Sequence, residues 1–229
     1  MHNFTSPASS ENNDLKLQFL ETVLRPLVLR RNAYGSLSSA YVTFYNSTQG
    51  QEYAVLTTTT CDFEFKMTAI MTTFDAATNK FRPTAVATAD GVLLKRAFIN
   101  TRLGYKSSLF VSNLNCKIKN QHIGSSMICE ALKLARAENL EYLNLISATP
   151  AEGFYNNLGF ECADQFLLRM IKKVDSPLNT NQIATSQTIE LDLTSPDLGL
   201  NDDNFELNLL NKPSQNEKSL YKENENEKI

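Results

Sequence analysis

The stretch KIKNQHIGSSMICEALKLA, Lys117 to Ala135, dictates more of the fold than any other part of this chain. From about Ile123 to Glu138 it sets Met127, Ile128, Ala131, Leu132 and Ala135 on one face at helical spacing. One stripe of that helix must therefore be buried against other elements. Asn139 suits the left-handed conformation that ends a helix. The approach to the helix is basic. Gly91 to Cys129 holds no Asp or Glu, yet carries Lys95, Arg96, Arg102, Lys106, Lys117 and Lys119. Free N–H groups and the helix dipole favour an anion at such a start. A solvated polar loop feeding a helix would carry similar residues.

Strand-like runs surround this helix. YKSSLFVSNLN precedes it and EYLNLIS follows it. Upstream, AYVTFY and YAVLTTTT, joined by NSTQGQE, read as a hairpin. FRPTAVATA and VLLKRAFIN flank Asp90-Gly91, which suits a type I′ turn, so a three-strand meander ending near Asn115 is expected. DFEFKMTAIMTTFDAAT is ambiguous: Phe63, Met67, Ile70, Met71 and Phe74 fall at helical spacing behind Asp62 as N-cap, while Phe63, Phe65 and Met67 alternate like a strand. The helical reading is preferred. Asp14 to Arg31 carries Leu17, Leu20, Leu24 and Leu27 on one helical face, with Pro26 breaking or kinking it. In TPAEGFYNNLGF, Thr149 is placed to cap, Pro150 to start and Glu152 to complete a capping box, with Gly159 ending the short helix. QFLLRMIKKV reads as a closing strand.

With 229 residues, one well-buried core suffices. Residues 1–173 carry 18 Lys and Arg against 14 Asp and Glu, a balance of +4, whereas 174–229 carry 4 against 11, a balance of −7. This predicts a disordered N-terminus over 1–13, a folded body over 14–173 and an acidic, disordered tail over 174–229. No run approaches the roughly 20 apolar residues of a membrane span, and the N-terminus lacks the apolar core of a secretory signal. Cys61, Cys116, Cys129 and Cys162 are scattered, without CxxC or a His at metal-ligand spacing, which predicts reduced thiols, a cytoplasmic setting and no metal. A body at +4 without interleaved aromatics is weakly basic for a nucleic-acid binder; a small phosphorylated ligand fits better.

The order strand–strand–strand–helix–strand–helix–strand, together with LNCKIKNQHIGSSMI and YLNLISATPAEGFYNNLGF, resembles the acetyl-CoA-binding core of the GNAT superfamily of N-acetyltransferases. That family shows Arg/Gln-x-x-Gly-x-Gly/Ala at the turn and an Ala-x-x-Phe-Tyr-x-x-Leu-Gly-Phe-like signature downstream. FYNNLGF matches closely, and the resemblance covers roughly residues 81–173. Two registers fit the turn. In the preferred one it is Lys119 to Gly124, with His122 in place of the first Gly. In the other it is Gln121 to Ser126, with Ser126 in place of the last.

The resemblance implies an α+β fold, a mixed and mostly antiparallel central sheet flanked by helices. It also implies acetyl-CoA as cosubstrate, held by Leu114, Cys116, Lys119, Gln121, His122, Ile123, Gly124, Ser125 and Ser126. Gly124 and Ser125 let a pyrophosphate approach the backbone; His122 either donates to a phosphate oxygen or points into solvent. Cys116 reads as a small packing residue. Tyr155 is assigned the proton that the departing CoA thiolate takes, against the alternative of a packing tyrosine. Phe154, Leu158 and Phe160 read as core. The base is not evident: Glu64, Asp75 and Asp90 remain by elimination, or the amine arrives deprotonated through water.

The implied activity is transfer of acetyl to an amine, a small molecule or a protein lysine, by direct attack in a ternary complex. The alternative is a non-catalytic acyl-CoA-binding or protein-interaction module on the same fold. The C-terminal NEKSLYKENENEKI resembles the translocation signals of bacterial type IV secretion effectors, which implies export into a host cell; a solvating acidic tail reads the same way.

Overall fold

A computed structural model describes residues 14–33, 35–75, 77–78, 80–177 and 185–191 of the chain. A helix, α1, runs over residues 14–31. Five strands follow by direct connections: β1 (Leu37–Asn46), β2 (Glu52–Thr60), β3 (Glu64–Asp75), β4 (Lys80–Asn100) and β5 (Gly104–Cys116). Helix α2 (Ile123–Ala137) leads to β6 (Tyr142–Ile146), and a single 3₁₀ turn (Thr149–Ala151) leads into α3 (Glu152–Asn157). β7 (Glu161–Asp164), β8 (Arg169–Lys173) and β9 (Thr185–Glu190) complete the order. The result is an α+β fold on one nine-stranded mixed sheet, ordered β7-β8-β6-β5-β4-β3-β2-β1-β9. Every pairing is antiparallel except β5 with β6, which α2 connects as a crossover. No helix among the described residues is long and apolar enough to cross a membrane.

Each face of the sheet has its own core. On one, Met127, Ile128, Ala131 and Leu132 of α2 pack with Val55, Met67, Leu109, Val111 and Leu143. On the other, Phe19, Leu20, Val23, Leu24, Leu27 and Val28 of α1 pack on Val42, Phe44, Leu56 and Ile70. The central strands bury both faces, so their apolar residues run nearly without interruption: β2 is buried at seven successive positions. The expected AYVTFY–YAVLTTTT hairpin is β1–β2, in register from Asn46↔Glu52 to Ala40↔Thr58.

Several expectations are corrected. The segment read as helical behind Asp62 is β3; Phe65, Met67 and Ala69 serve one core and Ile70 the other. Two-sided burial of a central strand imitates helical spacing. Asp90-Gly91 is not a turn. β4 runs straight through it, and the register against β5 slips there, Asp90 opposite Asn113 and Gly91 opposite Val111, with Ser112 the extra residue. A Cβ at Gly91 would collide with the Phe110 carbonyl oxygen, so the glycine permits close strand approach beside a bulge.

Pro26 neither breaks nor ends α1. The turn before it is wound as a π segment, Leu20–Leu24, whose wider bond from the Arg25 amide to the Leu20 carbonyl re-spaces the ladder ahead of the missing N–H. Leu17, expected on the buried face, is exposed. The capping box at Thr149 does not form: Ala148 and Ala151 occupy the cap positions without side-chain bonds. Within QFLLRMIKKV, residues 165–168 turn between β7 and β8 rather than extending a strand. Past the boundary expected at 173, Thr185–Glu190 pairs with β1 and buries Leu191. The segments 1–13 and 192–229, read as disordered and tail, lie outside the described residues.

Candidate functional site

β5 and β6 pair over only four residues, Ser108↔Tyr142 to Val111↔Leu145. β5 then continues to Cys116 beside β4 alone, while Ile146 ends β6 and the Ser147 amide turns to the Leu168 carbonyl. The bulge at Ser112 marks the parting point. Two parallel strands thus separate into a gap, and α2 begins at its head.

The turn that closes this gap is tied down from several sides. The Lys117 amide donates to the Val86 carbonyl at 2.9 Å, and Cys116 Sγ donates to the Ile118 carbonyl at 3.0 Å. Thr48 Oγ1 donates to the Asn120 carbonyl at 3.2 Å, and Gln121 Nε2 to Gln49 Oε1 at 3.0 Å. Asn120 and His122 both adopt left-handed backbone, with φ of 60° and 59°. That conformation suits glycine better than the residues that stand here.

His122 is the N-cap of α2 and supplies no side-chain cap. Its carbonyl accepts the Ser126 amide at 2.9 Å and Ser126 Oγ at 3.2 Å. The first helical bond therefore begins at Ser126, so the amides of Ile123, Gly124 and Ser125 have no partner within the helix. No acidic side chain lies in the first turn. Lys117 and Lys119 are exposed nearby. The start of α2 thus has no side-chain cap from His122 and no carboxylate, its Gly124 amide faces the Cys116 sulfur, and cations lie on its approach.

Not every residue expected to contact the cofactor is free to do so. Ser126 is buried, and its hydroxyl bonds the Tyr53 hydroxyl at 2.6 Å as well as the His122 carbonyl. Ile123 is buried in the core, and Leu114 and Cys116 pack against it. Burial pushes the Cys116 thiol up, in keeping with a packing role. At Gly124 a Cβ would touch the Phe154 ring at 3.4 Å, which brings α3 against the head of α2.

Tyr155 follows on α3, 7% exposed, with its ring 5.0 Å from Phe154 and 5.5 Å from Phe160. Burial raises its phenol pKa, so the group stays protonated at neutral pH. The Asn157–Leu158 end of α3 closes at Gly159, whose φ of 81° fits the expected stop.

The three candidate bases are dispersed. Glu64 is exposed at the start of β3. Asp75 lies at the far tip of the β3–β4 arm, where bonds from Thr78 and then Arg82 hold its carboxyl below the usual range. Asp90 stands beside the bulge, half-buried, and accepts Asn113 Nδ2 at 2.9 Å.

A fourth carboxylate escaped the sequence reading. Glu130, on α2, is fully buried. Its Oε1 accepts the Tyr45 hydroxyl, and also Lys133 Nζ at 2.7 Å. Burial and Glu130 together push the Tyr45 phenol far above its ordinary range. The available signal was a Glu three residues after Met127 and four before Leu134, inside the apolar stripe.

Compared with known proteins, the chain matches no family profile, and no curated protein is significantly similar to it.

Proposed function

We propose that this chain is an N-acetyltransferase of the GNAT type, binding acetyl-CoA and transferring its acetyl group to an amine by direct attack. The observation that supports this best is the gap between β5 and β6 beyond Val111 and Leu145, headed by the carboxylate-free start of α2. In this reading the pyrophosphate takes the amides of Ile123 and Ser125 with Lys119 beside them, Gly124 giving it room while its own amide faces the Cys116 sulfur, and the pantetheine lies along the open edge of β5. The amine nitrogen attacks the thioester carbonyl carbon. The C–S bond breaks, Tyr155 gives its proton to the thiolate, and the ammonium proton leaves to water or to Asp90, the candidate base nearest the bulge.

Calorimetric titration with acetyl-CoA, followed by an amine acceptor screen, tests this. Micromolar binding that Gly124→Glu abolishes in a folded protein is the expected result; unchanged affinity in that variant sinks the assignment. Tyr155→Phe should lower kcat and leave CoA affinity nearly intact. A second reading, a non-catalytic acyl-CoA-binding module, draws on the enclosure of Tyr155 between Phe154 and Phe160. Binding without turnover on any amine, with or without the phenol, selects it.

A further inference from the structure

On the face that α1 covers, the apolar core is drawn from β1, β2 and β3, and Phe81 of β4 packs at its rim. Phe65, Met67, Ala87, Ala89, Leu114 and Cys116 turn to the α2 side of the sheet. By alternation, Lys66, Thr68, Thr88, Asp90, Asn113 and Asn115 share the α1 side. They pair across the strands in two rows, Lys66↔Asp90↔Asn113 and Thr68↔Thr88↔Asn115. Asn113 and Asn115 are exposed, and Thr88 and Asp90 are half-buried. The first row ends at the bulge where the β5–β6 gap opens. A polar strip thus leads from that gap to the end of α1.

Arg31, the last residue of α1, reaches this strip, its Nη2 donating to Thr68 Oγ1 at 2.9 Å. Its Nη1 is buried and has no hydrogen-bond partner among the described residues. Burial alone pulls the Arg31 pKa down to about 10, with no carboxylate near enough to oppose it. Lys66, two residues from Thr68 on the same side, is a second cation. Partial burial and then the Arg31 charge hold its ammonium below the usual range, while Asp90 acts against them. Asp90 in turn accepts Asn113 Nδ2 at 2.9 Å. A guanidinium taken out of water without a counter-ion is costly, and an anion at Nη1 would complete it.

We propose that Arg31, with Lys66 beside it, binds the carboxylate of an ω-amino acid whose amine lies at the β5–β6 gap. The role of the amine rests on the acetyl-transfer reading; the carboxylate site rests on the strip alone. One strand spacing and two residues separate Asp90 from Thr68, about 8 Å of sheet, which an α-amine is too close to its own carboxylate to span. A planar carboxylate matches the guanidinium fork and takes the donor that Nη1 leaves unused. Asp90, at the other end of the strip, faces the ammonium.

The test is NMR titration of the full chain with 6-aminohexanoate and with hexylamine, which has the same number of carbons and no carboxylate. The first should bind at least tenfold tighter. Arg31→Gln keeps a donor for Thr68 and should erase that preference, with a melting temperature unchanged or higher because an uncompensated charge is gone. Equal affinity for the two amines, or a preference that survives Arg31→Gln, overturns the proposal. A clear fall in melting temperature in Arg31→Gln also overturns it, by making the guanidinium a group that serves the fold. Inorganic phosphate displacing 6-aminohexanoate at a tenfold lower concentration than acetate does overturns the carboxylate in favour of a phosphorylated amine. Acetyl transfer to both amines at equal kcat/KM overturns this inference and leaves the proposed function standing. Preferential binding without transfer to either amine supports the site and sinks the transfer reading instead.

Discussion

The two faces of the sheet are closed by different chemistry. α1 lies on its face through side chains such as Phe19, Val23, Leu24 and Leu27, joined near its end by Arg31 Nη2 donating to Thr68 Oγ1 at 2.9 Å. α2 lies on the other face through an apolar stripe crossed by buried bonds, Tyr53 to Ser126 and Tyr45 to Glu130. Apolar burial is non-directional and tolerates small shifts. A buried hydrogen bond accepts one position only. Ser126 is in the first turn of α2, so its bond to β2 fixes where that helix begins. The α1 face carries a π segment and a mid-helix proline in the same role without loss of packing. One face is filled; the other is positioned.

The sharpest way to break this contrast is Glu130→Ala, which leaves Tyr45 and Lys133 around a buried void. The orphaned Tyr45 hydroxyl and the cavity together cost roughly 3–5 kcal/mol, while Lys133, its side chain 32% exposed, turns to water. Urea unfolding should show that loss at unchanged m-value and, if the proposed function holds, weakened acetyl-CoA binding as α2 loses its anchor. Leu24→Ala on the opposite face should cost about 3 kcal/mol by cavity formation, yet leave the proposed CoA binding untouched. If Leu24→Ala harms binding as much as Glu130→Ala does, the faces are not distinct in kind.

Gly91→Ala probes the sheet between them. Its Cβ meets the Phe110 carbonyl, so β4 or β5 must shift, at roughly 1–3 kcal/mol by the same unfolding assay.

Tyr53→Phe has the smallest expected effect, about 1 kcal/mol at neutral pH for one lost hydroxyl bond. It also carries a pH signature. Burial pushes the Tyr53 phenol from 10.0 up to about 12, with the Ser126 bond pulling the other way. The unfolded chain then loses this proton near pH 10 while the folded chain keeps it. Stability present below pH 10 is therefore lost as pH rises toward 12, and Tyr53→Phe should flatten that part of the decline.

How much of this was legible in the sequence differs element by element. The β1–β2 hairpin and β6 were readable because their runs are short, β-rich and bounded by polar turns, α2 because it has one buried face, and the stops at Asn139 and Gly159 because those residues suit positive φ. β3 was not, because a strand buried on both sides loses its alternation. Asp90-Gly91 carries the signature of a turn, but whether such a glycine turns the chain or lets two strands touch is settled by its neighbour across the sheet. Glu130 was hidden for a similar reason: its partner Tyr45 is 85 residues away and nothing local announces the pairing. Of the candidate site, the carboxylate-free start of α2 and its lysines were foreseeable; the parting of β5 from β6 was not, since it depends on where a tertiary pairing stops.

β9 has a consequence for the order in which this chain can fold. Its partner strand β1 is complete by residue 46, yet the closing contacts come from residues 185–190, with Thr43 and Thr188 hydroxyls 3.1 Å apart across a separation of 145 residues. Loop closure over such a distance is slow and comes after local pairings have formed. During synthesis the β1 edge therefore stays open, a row of unpaired backbone groups available to any passing strand, until residues 185–190 have been made. A chain stopped short of residue 185 should associate through that edge even where its remaining core is intact.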